Sequence, residues 1–391
     1  MGSEMCIRDS FPWRTIAGEE CSGYWPAGTA AFHVNADIAD AVVRYVDATG
    51  DDDFERDVGH DILVETARLW RSLGHHDRDG AFRIPGVTGP DEYSALADDN
   101  VYTNLMAQQN LRAAAGAAER HPARADALGV DLIEITAWRE AAEAMYVPYD
   151  EELGVHPQSA GFTRHEVWDF DSVRPDQYPL FLHFPYFDIY RKQVVKQADL
   201  VLAMHLHPDA FTEEQKARNF AYYEGITVRD SSLSAATQAV LAAEIGHLEL
   251  AYDYLAESSL VDLQDLHHNT GGGLHLAALA GGWSALVAGF GGFRAQNGTL
   301  RFAPWLPSDI TRFVFHLWYR QRRLRVAATH GEATYAVLAG EPIELVHHGD
   351  PVLVGSEPVS CPIPPPTPRP TPTQPTGRAP ASRRSFGSAS A

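Results

Sequence analysis

Two hydrophobic periods divide this chain, and the change between them constrains its fold more than any other feature. Up to Phe290 apolar residues recur at helical spacing, as in Ile38, Val42, Val43 and Val46. After the stretch GGFRAQNG at 291–298 they alternate, and β-branched and aromatic residues become frequent. The first period predicts helices over 31–49, 54–73, 100–120, 133–146, 192–205, 212–222, 232–245, 247–258 and 273–290. The second predicts strands over 313–320, 324–329, 333–338 and 343–347. The expected architecture is mainly α: paired helices over 11–292, in a bundle or toroid, then a small antiparallel β domain over 293–355. Residues 356–391 are rich in Pro, Thr and Ser and are expected to be disordered. Residues 1–10, MGSEMCIRDS, match neither a signal peptide nor a helix and are expected to be a non-native or disordered leader.

Composition narrows the function. The formal net charge is -21, which argues against a nucleic-acid partner, since a phosphate backbone calls for a basic patch. Cys6, Cys21 and Cys361 are far apart and form neither a disulfide framework nor a zinc spacing, which fits a reducing cytoplasm. No apolar run approaches the roughly 20 residues of a membrane span.

Four loops carry candidate chemistry. The first, GVTGPDEYSALADDNVYTN from Gly86 to Asn104, opens on residues that resist helix, and Asp98 and Asp99 offer caps to a helix beginning near Asn100. It presents Asp91, Glu92 and Tyr93 at the mouth of that helix. A carboxyl fixed by a rigid, partly buried loop suits a general acid; on spacing alone the loop serves equally as a solvated cap. The second, YYEGITVRDSSLS, sets Asp230, Ser231 and Ser232 before a helix, where capping is the simpler role. No Gly-x-Ser-x-Gly elbow makes either serine a nucleophile. The third, DLHHNTGGGLH, places three glycines and His267, His268 and His275 at a helix start. Its backbone N–H groups suit an anion, though the spacing is neither a Walker motif nor a zinc site, and a flexible helix start reads as well. The fourth, KQVVKQAD, puts Lys192, Lys196 and Gln197 on a predicted helix within reach of a polar ligand, a position where lysine is usually only solvated. Upstream, FPWRTIAGEECSGYWPAGT interleaves Trp13, Tyr24 and Trp25 with Arg14, Glu19 and Glu20. Ring faces with carboxylates fit a sugar subsite, and a packed loop fits as well.

Together these segments resemble the catalytic domain of glycoside hydrolase family 65, which holds maltose, trehalose, kojibiose and nigerose phosphorylases and some α-glucosidases. The matching stretches are FPWRTIAGEECSGYWPAGTAAFHVNADIA, GVTGPDEYSALADDNVYTN, WDFDSVRPDQYPLFLHFPYFDIYRKQVVKQADLVLAM, YYEGITVRDSSLS and HHNTGGGLHLAALAGGW, in the family's order. The resemblance implies an (α/α)6 barrel and an inverting reaction on an α-glucosidic disaccharide. It makes Glu92 the general acid, assigns substrate contacts to Trp13, Glu20, Asp91, Lys196 and Gln197, and puts phosphate near Ser231, Ser232, Gly272, Gly273 and His275. It calls for inorganic phosphate as co-substrate, no metal or organic cofactor, and suggests a homodimer. Where relatives carry an acidic residue before the glycine of the Leu-His pair, and a small or basic one before that, this chain has Gly272 and Gly271. The family's early barrel helices precede the point where this sequence starts, so an incomplete barrel with impaired activity is expected.

Overall fold

The structure is a computed structural model, and it describes residues 10–22, 27–296 and 298–381. The leader up to residue 9, the aromatic pair Tyr24 and Trp25, and residues 382–391 lie outside the described residues. The chain forms two compact units: one takes the residues up to Val46 with Gly50–Trp168 and Leu180–Val195, and the other takes Asp47–Thr49, Asp169–Pro179 and the residues from Lys196 on.

In the first unit the longer helices are α1 (His33–Thr49), α2 (His60–Leu73), α3 (Val101–Arg120) and α4 (Leu132–Glu143). α1 stops at Gly50, whose left-handed φ of 70° a side chain would resist. α3 packs on α2 and α4. Its alanines 107, 114, 115, 117 and 118 are all buried, so neighbours approach closely along the whole helix. The buried Trp70 Nε1 donates to Asn110 Oδ1 at 2.9 Å, and the Asn110 amide donates to the Leu63 carbonyl at 3.2 Å, which fixes α2 against α3. Arg68 grips Glu134 of α4 through two N–H donors, at 2.8 and 3.0 Å.

The second unit holds α5 (Leu200–Leu206), α6 (Glu213–Glu224), α7 (Ser234–Glu244), α8 (Leu248–Leu260) and α9 (Leu276–Ser284), which runs on as a π-helical turn over Ala285–Phe290. The apolar helix α7 is the hub, touching α5, α8 and α9. Gly281 is required at the α7–α9 crossing, since a Cβ there would lie 2.4 Å from the Ala236 methyl.

Strands follow: β1 (Arg294–Gln296), β2 (Thr299–Phe302), β3 (Phe313–Tyr319), β4 (Arg322–Ala328), β5 (Glu332–Ala339), β6 (Ile343–His347), β7 (Asp350–Val354) and β8 (Val359–Pro362). They build two four-stranded sheets, ordered β8-β5-β4-β3 and β7-β6-β2-β1. Every pairing is antiparallel except β2 with β6. Phe302, Leu324, Val326, Tyr335, Leu345 and Val354 are among the buried residues of these strands.

Three expectations are corrected. Lys192–His205 is not one helix: Lys192–Gln193 pairs as a short strand with Glu166–Val167, and α5 begins only at Leu200. Gln193 explains the difference, since its amide donates to the Thr163 carbonyl at 3.0 Å and holds the segment extended. The α3 cap is Asn100, whose side chain accepts from Thr103 N at 2.9 Å, rather than Asp98 or Asp99. The tail from Ser356 is not disordered over its described part. Val359–Pro362 alternates in burial and joins the edge of β5, and the prolines beyond it run along the second unit to Ala381.

Candidate active site

Asp91 and Glu92 stand at the tip of a loop tied down along its length. Val87 and Ala97 exchange two backbone hydrogen bonds, of 2.9 and 2.8 Å, which closes the loop. Thr88 N donates to the Ala30 carbonyl at 2.9 Å, Gly86 N to Asp98 Oδ1 at 2.9 Å and Ala160 N to the Asp98 carbonyl at 2.9 Å. Asp99 has a positive φ of 51°. Its carboxylate accepts from Arg83 Nη1 at 3.0 Å, and burial raises its pKa against the pull of that arginine. The Arg83 guanidinium lies 3.5 Å from the centroid of the Tyr146 ring.

The two acidic neighbours differ in burial. Asp91 is fully buried, accepting from Gln158 Nε2 at 2.8 Å and from Tyr93 N at 3.2 Å. Glu92 stays half-buried. Tyr93 is fully buried, and its hydroxyl accepts from Phe181 N at 3.1 Å. The loop is therefore held from three sides, with Glu92 half-buried beside the fully buried Asp91.

Tyr190 is a neighbour that sequence reasoning missed. Burial pushes its phenol up to about 12, and the fields of Tyr186, Glu92 and Asp91 add to the effect. Its ring stacks on Tyr186 with centroids 5.9 Å apart. Its place in the aromatic run FPYFDIYRK was the available signal, but nothing in that run marks one tyrosine over another.

Trp13 and Glu20 lie on the irregular entry. The Trp13 ring covers Gly28, where a Cβ would lie 2.7 Å from it. Glu20 is exposed, and hydrogen bonds from Ser22 lower its pKa, so part of its role is local.

The second unit holds the other candidates. Lys196 and Gln197 are half-buried in an irregular turn before α5. Ser231 and Ser232 follow Arg229, a buried non-glycine residue with φ 54°. Ser231 Oγ accepts from Leu233 N at 3.3 Å, and Leu233 is the cap position of α7, so neither serine nor Asp230 is that cap. His275 donates from its backbone N to Asp262 Oδ2 at 2.9 Å, and its Nδ1 lies 2.6 Å from Asp262 Oδ1. A carboxylate only accepts, so Nδ1 carries the proton and Nε2 is the atom left for a ligand. Burial lowers the pKa of His267, and the charges of Glu257, Arg378, His275 and Asp230 act on it more weakly.

The glycine loop is not an open backbone cradle. Gly272 N donates to the Asn269 carbonyl at 2.9 Å and Gly273 N to the Thr270 carbonyl at 3.0 Å, inside a 3₁₀ turn. Gly271, Gly272 and Gly273 all border open space, and Gly273 has φ 119°, open to glycine alone in practice. The amides of Gly272 and Gly273 are thus already bonded within the turn. Among the described residues no group of three or more His, Cys, Asp or Glu is placed to hold a metal, and no helix is long and apolar enough to cross a membrane.

Comparison with known proteins fits this geometry. The model of the glycosyl hydrolase family 65 central catalytic domain matches residues 9–284, and that of the family's C-terminal domain matches residues 293–354. An uncharacterized glycosyl hydrolase of Mycobacterium leprae is 55% identical over 384 residues, 96% of this chain and 48% of the relative. The α,α-trehalose phosphorylase of Thermoanaerobacter brockii is 44% identical over 354 residues, 88% of this chain and 46% of the relative. The maltose phosphorylase of Bacillus subtilis is 34% identical over 352 residues, 88% of this chain and 46% of the relative. A solved structure assigned as a kojibiose phosphorylase, from the human microbiome, superposes with a TM-score of 0.82 at 25% identity, covering 90% of this chain and 53% of that one. The chain spans about half the length of the curated relatives it matches. Its mainly helical body with a C-terminal sheet domain is the fold shared with that solved structure, and the chain belongs to glycosyl hydrolase family 65.

Proposed function

We propose that this chain carries the central catalytic and C-terminal parts of an inverting α-glucoside phosphorylase. The observation that carries the reading is the difference in burial at 91–92: Asp91 is fully buried and bound to Gln158, while Glu92 on the same fixed loop is only half-buried. In this reading Glu92 gives its proton to the glycosidic oxygen as the C1–O bond lengthens through an oxocarbenium-like state. A phosphate oxygen attacks C1 from the other face. The bond to C1 forms, the leaving sugar departs as an alcohol, and the product is β-glucose 1-phosphate. Glu92 then recovers a proton from solvent. Lys196, Gln197, Trp13 and Glu20 are assigned to the sugars, and Ser231, Ser232 and His275 Nε2 to phosphate. Positions 271–273 have no side chains, so they supply no second carboxylate to activate water, and this favours phosphate over water as the nucleophile.

The higher identity to a trehalose phosphorylase than to a maltose phosphorylase makes trehalose the first substrate to try. The test incubates the chain with trehalose, maltose, kojibiose and nigerose, with and without phosphate. Release of β-glucose 1-phosphate and free sugar that requires phosphate supports the proposal. Glucose release indifferent to phosphate establishes a hydrolase instead. Sugar binding without turnover, unaltered in Glu92→Gln, points to a glycan-binding role.

A further inference from the structure

The chain beyond β8 reaches back along the second unit and is fastened at successive points. Trp305 Nε1 donates to the Pro364 carbonyl at 2.7 Å. Pro366 packs at Gly246, where a Cβ would lie 3.0 Å from its ring. Arg369 Nη2 lies 2.8 Å from Glu213 Oε1, and Thr376 Oγ1 donates to Asp171 Oδ1 at 2.6 Å. These contacts tie a proline-rich segment, whose restricted backbone has little entropy to lose on ordering.

Two further anchors, Gln374 and Arg378, are of another kind, because they reach buried charges. Gln374 Nε2 donates at 2.9 Å to Glu224 Oε1. Glu224 is 1% exposed and also accepts from Tyr254 and from Gln238. Arg378 then spans the residue that precedes the serine loop. Its Nε donates to the Val228 carbonyl at 2.6 Å and its Nη2 to Asp230 Oδ1 at 3.1 Å. Its guanidinium lies 4.4 Å from the centroid of the Tyr178 ring. Between those two contacts sits Arg229, in a left-handed backbone conformation that is costly for a branched-out L side chain. Arg229 is held in turn by Glu257, with Nε to Oε1 at 3.0 Å, and its guanidinium faces Tyr254 at 5.2 Å. One guanidinium thus clasps the chain on both sides of a strained residue. Ser231 and Ser232 are the next residues along.

We infer that residues 363–381 are a strap whose Arg378 is a positioning residue: it fixes the backbone across Arg229 and so sets Ser231 and Ser232 for an anion. The inference rests on the phosphate assignment proposed above for these serines, but the strap's effect on the loop is measurable without it. Arg378 does not touch the anion in this reading. Arg is required rather than Lys because only a planar fork reaches a carbonyl and a carboxylate at once.

The test uses the full chain, inorganic phosphate as the probe, and two readouts: phosphate affinity by titration calorimetry and amide hydrogen exchange over 229–234. In Arg378→Ala the amides of 229–234 are expected to exchange faster, and phosphate affinity to fall roughly tenfold. Arg378→Lys is expected to recover part of both losses and, should the alanine variant fail to fold, it decides the matter by the same exchange readout. Unchanged exchange at 229–234 in the folded variants overturns the strap. Faster exchange with unchanged phosphate affinity overturns the positioning role while the phosphate site stands. A parent chain that binds no phosphate removes the phosphate assignment, and with it the serines' role, whatever the exchange shows.

Discussion

Gln158 Nε2 lies 2.8 Å from Asp91 Oδ2 and 2.9 Å from Ser94 Oγ, and both Gln158 and Asp91 are fully buried. One amide therefore supports a buried carboxylate beside the proposed proton donor. Replacing it in Gln158→Leu takes one hydrogen-bond donor from that buried carboxylate and should cost about 2–3 kcal/mol of stability, read by denaturant unfolding. Gln158→Glu sets a second carboxyl against Asp91. That variant should be less stable than the parent at neutral pH and recover as the pH falls and one of the two carboxyls binds a proton.

Glu92→Gln should lower kcat by about 10²–10⁴-fold, with substrate affinity little changed, because the amide keeps the shape and loses the proton. Asp91→Asn should show the reverse balance: a loss in stability first and a smaller loss in rate. Steady-state kinetics and unfolding measured on both variants separate the two roles. Equal losses of rate in both would overturn the division between them.

The sequence carries the helices and most of the strands because each leaves a periodic apolar trace. Val42 in α1 and Ala107 in α3 are on buried faces that spacing alone marks out. It misplaces Lys192–His205 because VVKQADLVLAM fits helix and extended chain alike, and the buried Gln193 amide, bonded to a carbonyl 30 residues earlier, decides for extended chain. β8 is missed for a similar reason: a four-residue edge strand among prolines carries no period, and only its pairing with β5 holds it. The loop at Asp91–Glu92 is legible because Gly, Pro and acidic residues mark it. Its support by Gln158, and the nearness of Tyr190, come from residues distant in the chain, which no local pattern can show. At the glycine loop the sequence likewise cannot show that the amides of Gly272 and Gly273 bond to the carbonyls of Asn269 and Thr270 within the turn.

Five histidines should make stability fall in mild acid. Desolvation is the leading cause that lowers the pKa of His60, His165, His247, His267 and His348, the last to about 4. His60 is the plainest case: it is fully buried and neither ring nitrogen has a hydrogen-bond partner. A lowered histidine resists protonation in the fold, so the unfolded chain binds protons first. Stability is full above about pH 6.5 and declines as the pH falls toward about 4, by at most about 1.4 kcal/mol per pH unit for each residue. Unfolding free energies across this range check the slope. His60→Leu should flatten it by one histidine's share, and an unaltered slope would remove His60 from the account.

Glu244 should govern the next window down. It is held by Lys216 Nζ at 2.7 Å and by Arg294, which sets the end of α7 against β1 and α6. Burial opposes its charge, but the two cations outweigh it and hold the carboxyl at about 2, below its ordinary 4.5. The sign is that of a depressed acid: its contribution is present above about pH 4.5 and is lost as the pH falls toward about 2. Glu244→Gln leaves two cations facing each other without an anion. Removing one partner of a buried pair costs about 3–5 kcal/mol. The side chain is 25% exposed, so solvent screens part of that loss and the expected cost at pH 7 is about 2–3 kcal/mol. The same variant should narrow its gap to the parent as the pH falls from about 4.5 toward about 2, where the unfolded parent takes up a proton at this carboxyl before the folded one does. Arg294→Met in the same background tests the cause: with one cation gone, Glu244→Gln should cost less than in the parent, and a double-mutant cycle reads the difference.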